Sequence, residues 1–227
     1  MNMKTLANRN LVILGQSNII SDIFDCAFAL NIRVSKIVIH RPEEVDQRSI
    51  PTHQRLLSYS EYSNAPDIEN MNTFRPRVDD VFIFGPTSPI RELIAKDFSQ
   101  HTLNFCTLIH PTAYVSPFAK IGKGVFVGAK SVIGPGAIIE DHVFINRGVT
   151  IGHDTHIGSY SRLQPGANVA GLCKIGKGVS ISIGAAIIER IHIGEGAIIG
   201  AGAVVLRDVS PNVLAVGVPA IIKDKDL

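Results

Sequence analysis

Residues 150–171 read TIGHDTHIGSYSRLQPGANVAG, and within them His153 and Asp154 stand side by side among Ile-Gly pairs and small residues. An imidazole exchanges a proton near neutral pH, and a neighbouring carboxylate can fix its tautomer or stabilise its charged form. That chemistry is general-base catalysis. The same residue types also populate solvated turns, so residue type alone leaves both readings open. His142, His153 and His156 raise metal binding as a third reading, but they show no recognised metal-ligand spacing, and no metal is expected.

The pair lies inside a repeat. From Val115 to Val205 an aliphatic residue returns every six positions without a slip, and Gly follows many of these, as at Gly134, Gly152, Gly158 and Gly200. The position two before each aliphatic is mostly small or β-branched, as at Ala137, Val149, Thr155 and Cys173. A helix would show a period of about 3.6 and a lone strand a period of 2. A period of six with glycine at the turns predicts short strands joined by tight corners, stacked as a parallel β-helix. Three hexads close one coil, so the repeat builds about five coils, roughly 25 Å tall at ~4.8 Å per strand. The recurring aliphatic points inward, and Cys173 is expected inward too. At a corner, unlike along a strand, His153 and Asp154 can both face out. Glu140 and Asp141 are alternative acids for the same role. His156 and His192 read as surface turn residues, and VGVPA (216–220) as a terminal cap.

The first hundred residues follow a different pattern. Strands are expected at 10–15, 34–39, 81–84 and 105–109, and helices at 18–30, with Asn18 as N-cap, and at 89–98. Strands alternating with helices imply a small parallel sheet. Residues 40–79 show no firm pattern. A strand-Gly-helix opening can bind phosphate, but here the loop is GQSN (15–18), with one Gly, and the full dinucleotide fingerprint is absent.

Composition narrows the function classes. The chain has 227 residues, 45% hydrophobic and 6% aromatic with no Trp, so its core must be aliphatic. A formal net charge of +2, with no basic run interleaved with aromatics, does not argue for nucleic acid. No apolar run approaches 18 residues, so no membrane span is expected. The first residues lack the pattern of a signal peptide. Three scattered cysteines form neither a disulfide framework nor a metal site, which suits a reducing, cytoplasmic setting.

The stretches FGPTSPIR (84–91), LIHPTAYVS (108–116), FINRGVTIGHD (144–154), NVAG (168–171), IGAGAVVLRDV (199–209) and VGVPA (216–220) resemble one branch of the hexapeptide acyltransferases. That branch comprises the sialic acid O-acetyltransferases and the nucleotide-amino-sugar N-acetyltransferases. The resemblance is strong from about residue 105 onward and thin before it. It implies a small α/β, Rossmann-like nucleotide-sugar-binding domain over 1–108 and a left-handed parallel β-helix over 109–227. It also implies acetyl-CoA as co-substrate, a nucleotide-linked amino sugar as acceptor, a homotrimer with active sites between neighbouring prisms, and a place in glycan biosynthesis. Transfer to a sugar hydroxyl, as on sialic acid, is the alternative activity; a non-catalytic trimeric scaffold is the alternative class.

On this resemblance His153 is the general base and Asp154 its acidic neighbour. Coil-length steps from His153 reach Gly171, Glu189 and Arg207, expected in one column. Gly171 would leave room for the thioester and offer its N–H to the carbonyl oxygen, a kind of contact worth on the order of 10²–10³-fold. A second column holds Asn146, Gln164, Ser182 and Gly200, with Asn146 near the reacting sugar. The pantetheine arm would pass Ile183, Gly200 and Ala201, with Arg207 near the phosphates. Arg162 stands nine residues after the base, where some members have a second His, and is carried as a cofactor contact. Gly15, Ser17, Asn18 and Gly85 are the candidate acceptor-binding residues of the N-terminal domain. Members usually show a Gly-rich loop and an acidic pair after the second strand; here stand GQSN and HRPEE (40–44).

Overall fold

The structure is a computed structural model, and it describes residues 9–40, 50–59, 65–89, 91–99 and 102–223. The chain divides into two compact units, Met1–Thr107 and Leu108–Leu227.

In the first unit, the strands β1 (Asn10–Leu14), β2 (Val34–Ile39), β3 (Asp67–Asn70) and β4 (Asp80–Phe84) form one parallel sheet in the order β3-β2-β1-β4. The helices are α1 (Ile20–Ala29), α2 (Thr52–Tyr59) and α3 (Arg91–Asp97). Leu11 to Leu14 are all fully buried, as a strand covered on both faces requires. Helix α1 buries Ile20, Ile23, Phe24 and Ala27, one stripe at helical spacing. It stops because Asn31 takes a left-handed φ of 56°. Ile32 N–H then bonds Ala27 O at 2.8 Å and Asn31 N–H bonds Phe28 O at 2.9 Å, a Schellman stop that uses carbonyls the helix leaves open.

Three expectations change here. The α1 N-cap is Ile19 with no side-chain cap bond. Asn18 instead turns its Oδ1 to the Arg55 guanidinium, 3.0 Å away, a charge-assisted bond that displaces the capping role. Segment 105–109 is not one strand of this sheet. Phe105 makes a single bridge to Phe82, while Leu108–Ile109 pairs with Phe126–Val127 in the second unit. Helix α2 and strand β3 arise in the stretch that carried no pattern. Only Thr52 and Leu56 of α2 are buried and β3 buries none of its four residues, so neither carries a strong apolar signal.

The second unit is a left-handed parallel β-helix. As far as Ala186–Ile187, each two-residue strand pairs in parallel with the strand 18 positions on, as Thr150–Ile151 does with Asn168–Val169. The strands fall into three faces. Face 1 starts at Leu108–Ile109, face 2 at Tyr114–Val115 and face 3 at Lys120–Ile121. The aliphatics of the six-residue period line the inside, as do the small residues two positions earlier; Ile151, Ile157, Val149 and Cys173 are at most 2% exposed. Burying each such Ile contributes about 1.5–3 kcal/mol, so a stack of them replaces the aromatic core this chain lacks. Inward hydroxyls bond backbone groups at the corners. Thr155 Oγ1 donates to Ala170 O at 2.8 Å and accepts from Cys173 N–H at 3.2 Å, and Ser161 does the same with Gly176 O and Val179 N–H.

His156 and His192 sit on face-3 strands, not in turns. The last coil is two residues shorter than the others, since Ile193 bridges to Val209 and Ile198 pairs with Leu214. The C-terminal segment closes the coil: Leu214–Val216 pairs in parallel with the coil before it and antiparallel with Ile221–Lys223.

Candidate active site

The corner between faces 2 and 3 carries His153 and Asp154. Gly152 N–H bonds Val169 O at 2.8 Å and Asp154 N–H bonds Pro135 O at 2.9 Å, with Asp154 at a left-handed φ of 54°. That backbone turn sends both side chains outward, 57% and 60% exposed. They meet there, His153 Nδ1 lying 2.9 Å from Asp154 Oδ2. A carboxylate accepts only, so this contact places the imidazole proton on Nδ1 and leaves Nε2 with its lone pair. The other candidate acids are occupied elsewhere. Glu140 accepts from His156 Nε2 at 2.7 Å and from Ser159 N–H at 2.8 Å, and Asp141 Oδ1 accepts from Lys123 N–H at 2.7 Å. Partial desolvation raises the Glu140 carboxyl, but the Ser159 and His156 bonds outweigh it together and leave it below its ordinary 4.5.

One coil above the base stands Gly171. A Cβ built on it would lie 2.5 Å from His153 Nε2 and 2.8 and 2.9 Å from Cδ2 and Cε1. The imidazole therefore lies against the bare glycine, in the place a side chain there would take. The backbone ladder uses the N–H groups of Ala170 and Leu172 but not that of Gly171. This leaves the Gly171 N–H beside the base as a donor for developing negative charge. Arg190 N–H bonds Gly171 O at 3.1 Å, so the column continues through the corner of Glu189. Arg207 falls in the shortened corner, where Asp208 Oδ1 takes the His192 N–H and the regular register ends.

The corner between faces 1 and 2 gathers the other β-helix candidates. Ile183 and Ala201 stand outward at its middle, exposed, with Gly202 N–H bonding Ile183 O at 2.9 Å. Gly200 lies under Val216, whose Cγ1 is 2.5 Å from the place of its missing Cβ. Asn146 is only 1% exposed. Its Nδ2 donates to Gln164 Oε1 at 3.2 Å and its Oδ1 accepts from Arg147 N–H at 2.8 Å. These bonds brace the corner and fix the direction of the amide, which keeps one Nδ2 hydrogen and one Oδ1 lone pair beyond them. Arg162 sits on face 1, its Nε bonding Ser180 Oγ at 3.0 Å, and burial lowers its pKa from the ordinary value of a guanidinium. Face 1 is opposite the His153 corner, so Arg162 and the base of one prism do not share a site.

In the first unit the structure brings Gly15, Ser17, Asn18 and Gly85 together at the C-terminal ends of β1 and β4. Ser17 Oγ bonds Gly85 O at 2.8 Å. Gly85 must be glycine, because its Cβ would lie 2.1 Å from Gly15 O. Strand β1 has β2 on one side and β4 on the other, the switch point at which parallel sheets receive ligands. Sequence reasoning missed Arg55, whose guanidinium reaches Ser21 Oγ at 3.1 Å as well as Asn18. Its signal was an isolated Arg in a polar stretch, which carries no pattern.

Among the described residues no group of His, Cys, Asp and Glu could hold a metal ion. His142 stacks on Tyr160 at the corner between faces 3 and 1, and His156 pairs with Glu140.

Comparison with known proteins bears on the repeat and the fold. The family model of the bacterial transferase hexapeptide (six repeats) matches residues 136–171 and 172–207. No curated protein matches the chain by sequence. Among solved structures, a His-to-Asn variant of perosamine N-acetyltransferase from Caulobacter crescentus, in complex with CoA and GDP-perosamine, is similar. It shows 26% identity over 94% of this chain and 96% of its own, with a TM-score of 0.81. The acetyltransferase domain of PglB from Neisseria gonorrhoeae, in complex with acetyl coenzyme A, shows 27% identity over 95% of this chain and 100% of its own, at 0.78. WeeI from Acinetobacter baumannii shares the fold at 21% identity, covering 94% and 99%, also at 0.78. The hexapeptide repeat and the likeness extending through both units support a hexapeptide-repeat sugar acetyltransferase.

Proposed function

We propose that this protein N-acetylates the amino group of a nucleotide-linked amino sugar, taking the acetyl group directly from acetyl-CoA. The observation that carries the mechanism is the 2.9 Å contact from His153 Nδ1 to Asp154, with the ring laid against Gly171. The relatives support the substrates, being bound to CoA and GDP-perosamine in one case and acetyl coenzyme A in the other.

His153 Nε2 accepts the proton of the amine as its nitrogen bonds the thioester carbonyl carbon. Gly171 N–H donates to the carbonyl oxygen as negative charge builds there. The carbon–sulfur bond then breaks, and the proton held by His153 passes to the leaving thiolate, giving an amide and free CoA thiol. General-base help of this kind contributes on the order of 10²–10⁴-fold. Asp154 keeps the imidazole in the tautomer whose Nε2 can accept. No protein nucleophile is needed, and Cys173 is inward and buried.

The working form is a homotrimer. The base stands at one end of face 2, and Ile183, Gly200 and Ala201 stand at the other end. A ligand touching both sets is best served by two prisms, the base corner of one meeting the opposite corner of the next. A single face offers only a shallow groove, and a second prism would enclose the extended arm of the donor. Exposed apolar side chains on and beside face 2, including Tyr114, Val132 and Leu172, are what such an interface would cover. The acceptor's nucleotide belongs at Gly15, Ser17, Asn18 and Gly85. The setting is cytoplasmic glycan biosynthesis, in keeping with three free, buried cysteines and the absence, among described residues, of any helix able to cross a membrane.

The test is release of free CoA thiol from acetyl-CoA with UDP-, GDP- and dTDP-linked amino sugars and free sialic acid as acceptors. Turnover with an amino sugar is expected, with an amide in the product. Turnover with sialic acid alone would replace the proposal by hydroxyl acetylation. Failure to bind acetyl-CoA would favour a scaffold.

A further inference from the structure

The column that sets Gly171 above His153 also runs downward, and one coil below Asp154 lies Gly136. A Cβ on Gly136 would stand 2.2 Å from Asp154 Oδ1 and 3.2 Å from Asp154 Cγ. The carboxylate rests in the space this missing side chain leaves. From there its other oxygen reaches His153 Nδ1 at 2.9 Å. The pair is thus held between two bare positions, Gly171 over the imidazole and Gly136 beneath the carboxylate. We propose that Gly136 is a positioning residue for catalysis, acting through Asp154 to fix the orientation of His153. The proposal rests on His153 being the base, but the cradle can be tested without substrate.

Gly136 has a φ of +71°, so any substitution strains the backbone as well as filling the cradle. The fold supplies a matched control. Gly166 holds the corresponding place in another corner, at a φ of +69°, and its Cβ would meet nothing within 4 Å. Gly136→Ala and Gly166→Ala therefore share the backbone penalty, and only the first displaces the carboxylate.

The experiment compares these two variants in the full-length protein, each alone and combined with Asp154→Ala, by turnover kinetics and thermal unfolding. A misplacement on the 1 Å scale at a catalytic pair loses about 100-fold in rate. Gly136→Ala should lose roughly 10- to 100-fold in kcat with little change in KM for acetyl-CoA. In the Asp154→Ala background, Gly136→Ala should lose nothing further, because the residue it acts through is gone. The thermal cycle carries the comparison with Gly166→Ala: Gly136→Ala lowers Tm more than Gly166→Ala when Asp154 is present, and equally when it is absent. Equal kcat losses for Gly136→Ala in both backgrounds, or equal losses of Tm for the two alanines with Asp154 present, would overturn the proposal. If wild type acetylates no amino sugar while the thermal cycle still couples 136 to 154, the activity reading fails and the cradle stands.

Discussion

Gly171→Ala offers a clean separation of geometry from stability. Gly171 is not at positive φ, so alanine suits its backbone. The nearest three atoms to the new methyl all belong to the His153 ring, at 2.5, 2.8 and 2.9 Å. Ordinary contact begins near 3.4 Å, so the ring must retreat by about 1 Å. It can, being the free end of a side chain 57% exposed. Folding stability should change by less than about 0.5 kcal/mol, and the loss of a flexible glycine from the unfolded chain acts to raise it slightly. Catalysis should not be spared. A shift of about 1 Å in the base corresponds to roughly 100-fold in kcat, or about 2.7 kcal/mol of transition-state stabilisation. The assay is CoA thiol release followed with a thiol reagent. The protein adds little background, because all three cysteines are buried and burial pushes Cys26 and Cys106 up to about 12. A Gly171→Ala variant with unchanged Tm and full kcat would refute the reasoning, since it would show that the position of the imidazole against this glycine does not matter to the reaction.

Further outcomes follow from the same structure. His153→Ala should lower kcat by on the order of 10²–10⁴-fold, with circular dichroism and Tm unchanged because the side chain faces solvent. Thr155→Val keeps shape but removes the hydroxyl that serves Ala170 O and Cys173 N–H; leaving these buried groups unpaired should destabilise the β-helix by about 1–3 kcal/mol in denaturant titrations. Glu140→Gln should lower stability at neutral pH and not in acid. A carboxyl held below its ordinary 4.5 stabilises the fold above that pH and loses the effect as pH falls through its folded value. Wild type and variant should therefore differ near pH 6, by under about 1 kcal/mol for so exposed a pair, and converge in urea melts once the pH has fallen through the folded value of this carboxyl. Finally, Ala201→Trp and His153→Ala should each be inactive alone. Co-refolded together they should regain part of the activity, as a site shared between two prisms requires, and no recovery would place the whole site on one prism.

Much of the β-helix was legible before any coordinates. A six-residue period with small residues at the second inward position admits few packings, and the 18-residue coil length that follows puts Gly171 beside His153 by counting alone. The same counting reaches Gly136. At the corner of Arg207 the counting loses its regular frame, because nothing local announces that the last coil is two residues shorter. Periodicity could not say which of three acids faces His153. That depends on the left-handed turn at Asp154 and on the bonds that hold Glu140 and Asp141 in another corner.

The α/β unit was readable only where burial was strong. Strands β1 and β4 carry continuous apolar runs and β2 ends in one, whereas α2 and β3 lie mostly exposed, and Arg55 gained meaning only once α2 brought it to Asn18 and Ser21. The amino-acid sequence by itself determined the repeat, its coil length and the residue types at each corner, because a regular core imposes a regular spacing. Tertiary structure alone decided that Asn146 is buried and bonded across its corner, that Arg162 lies on the face opposite the base, and that the imidazole lies against the bare Gly171. Each of these depends on side-chain direction and contact across coils, which a one-dimensional period does not encode.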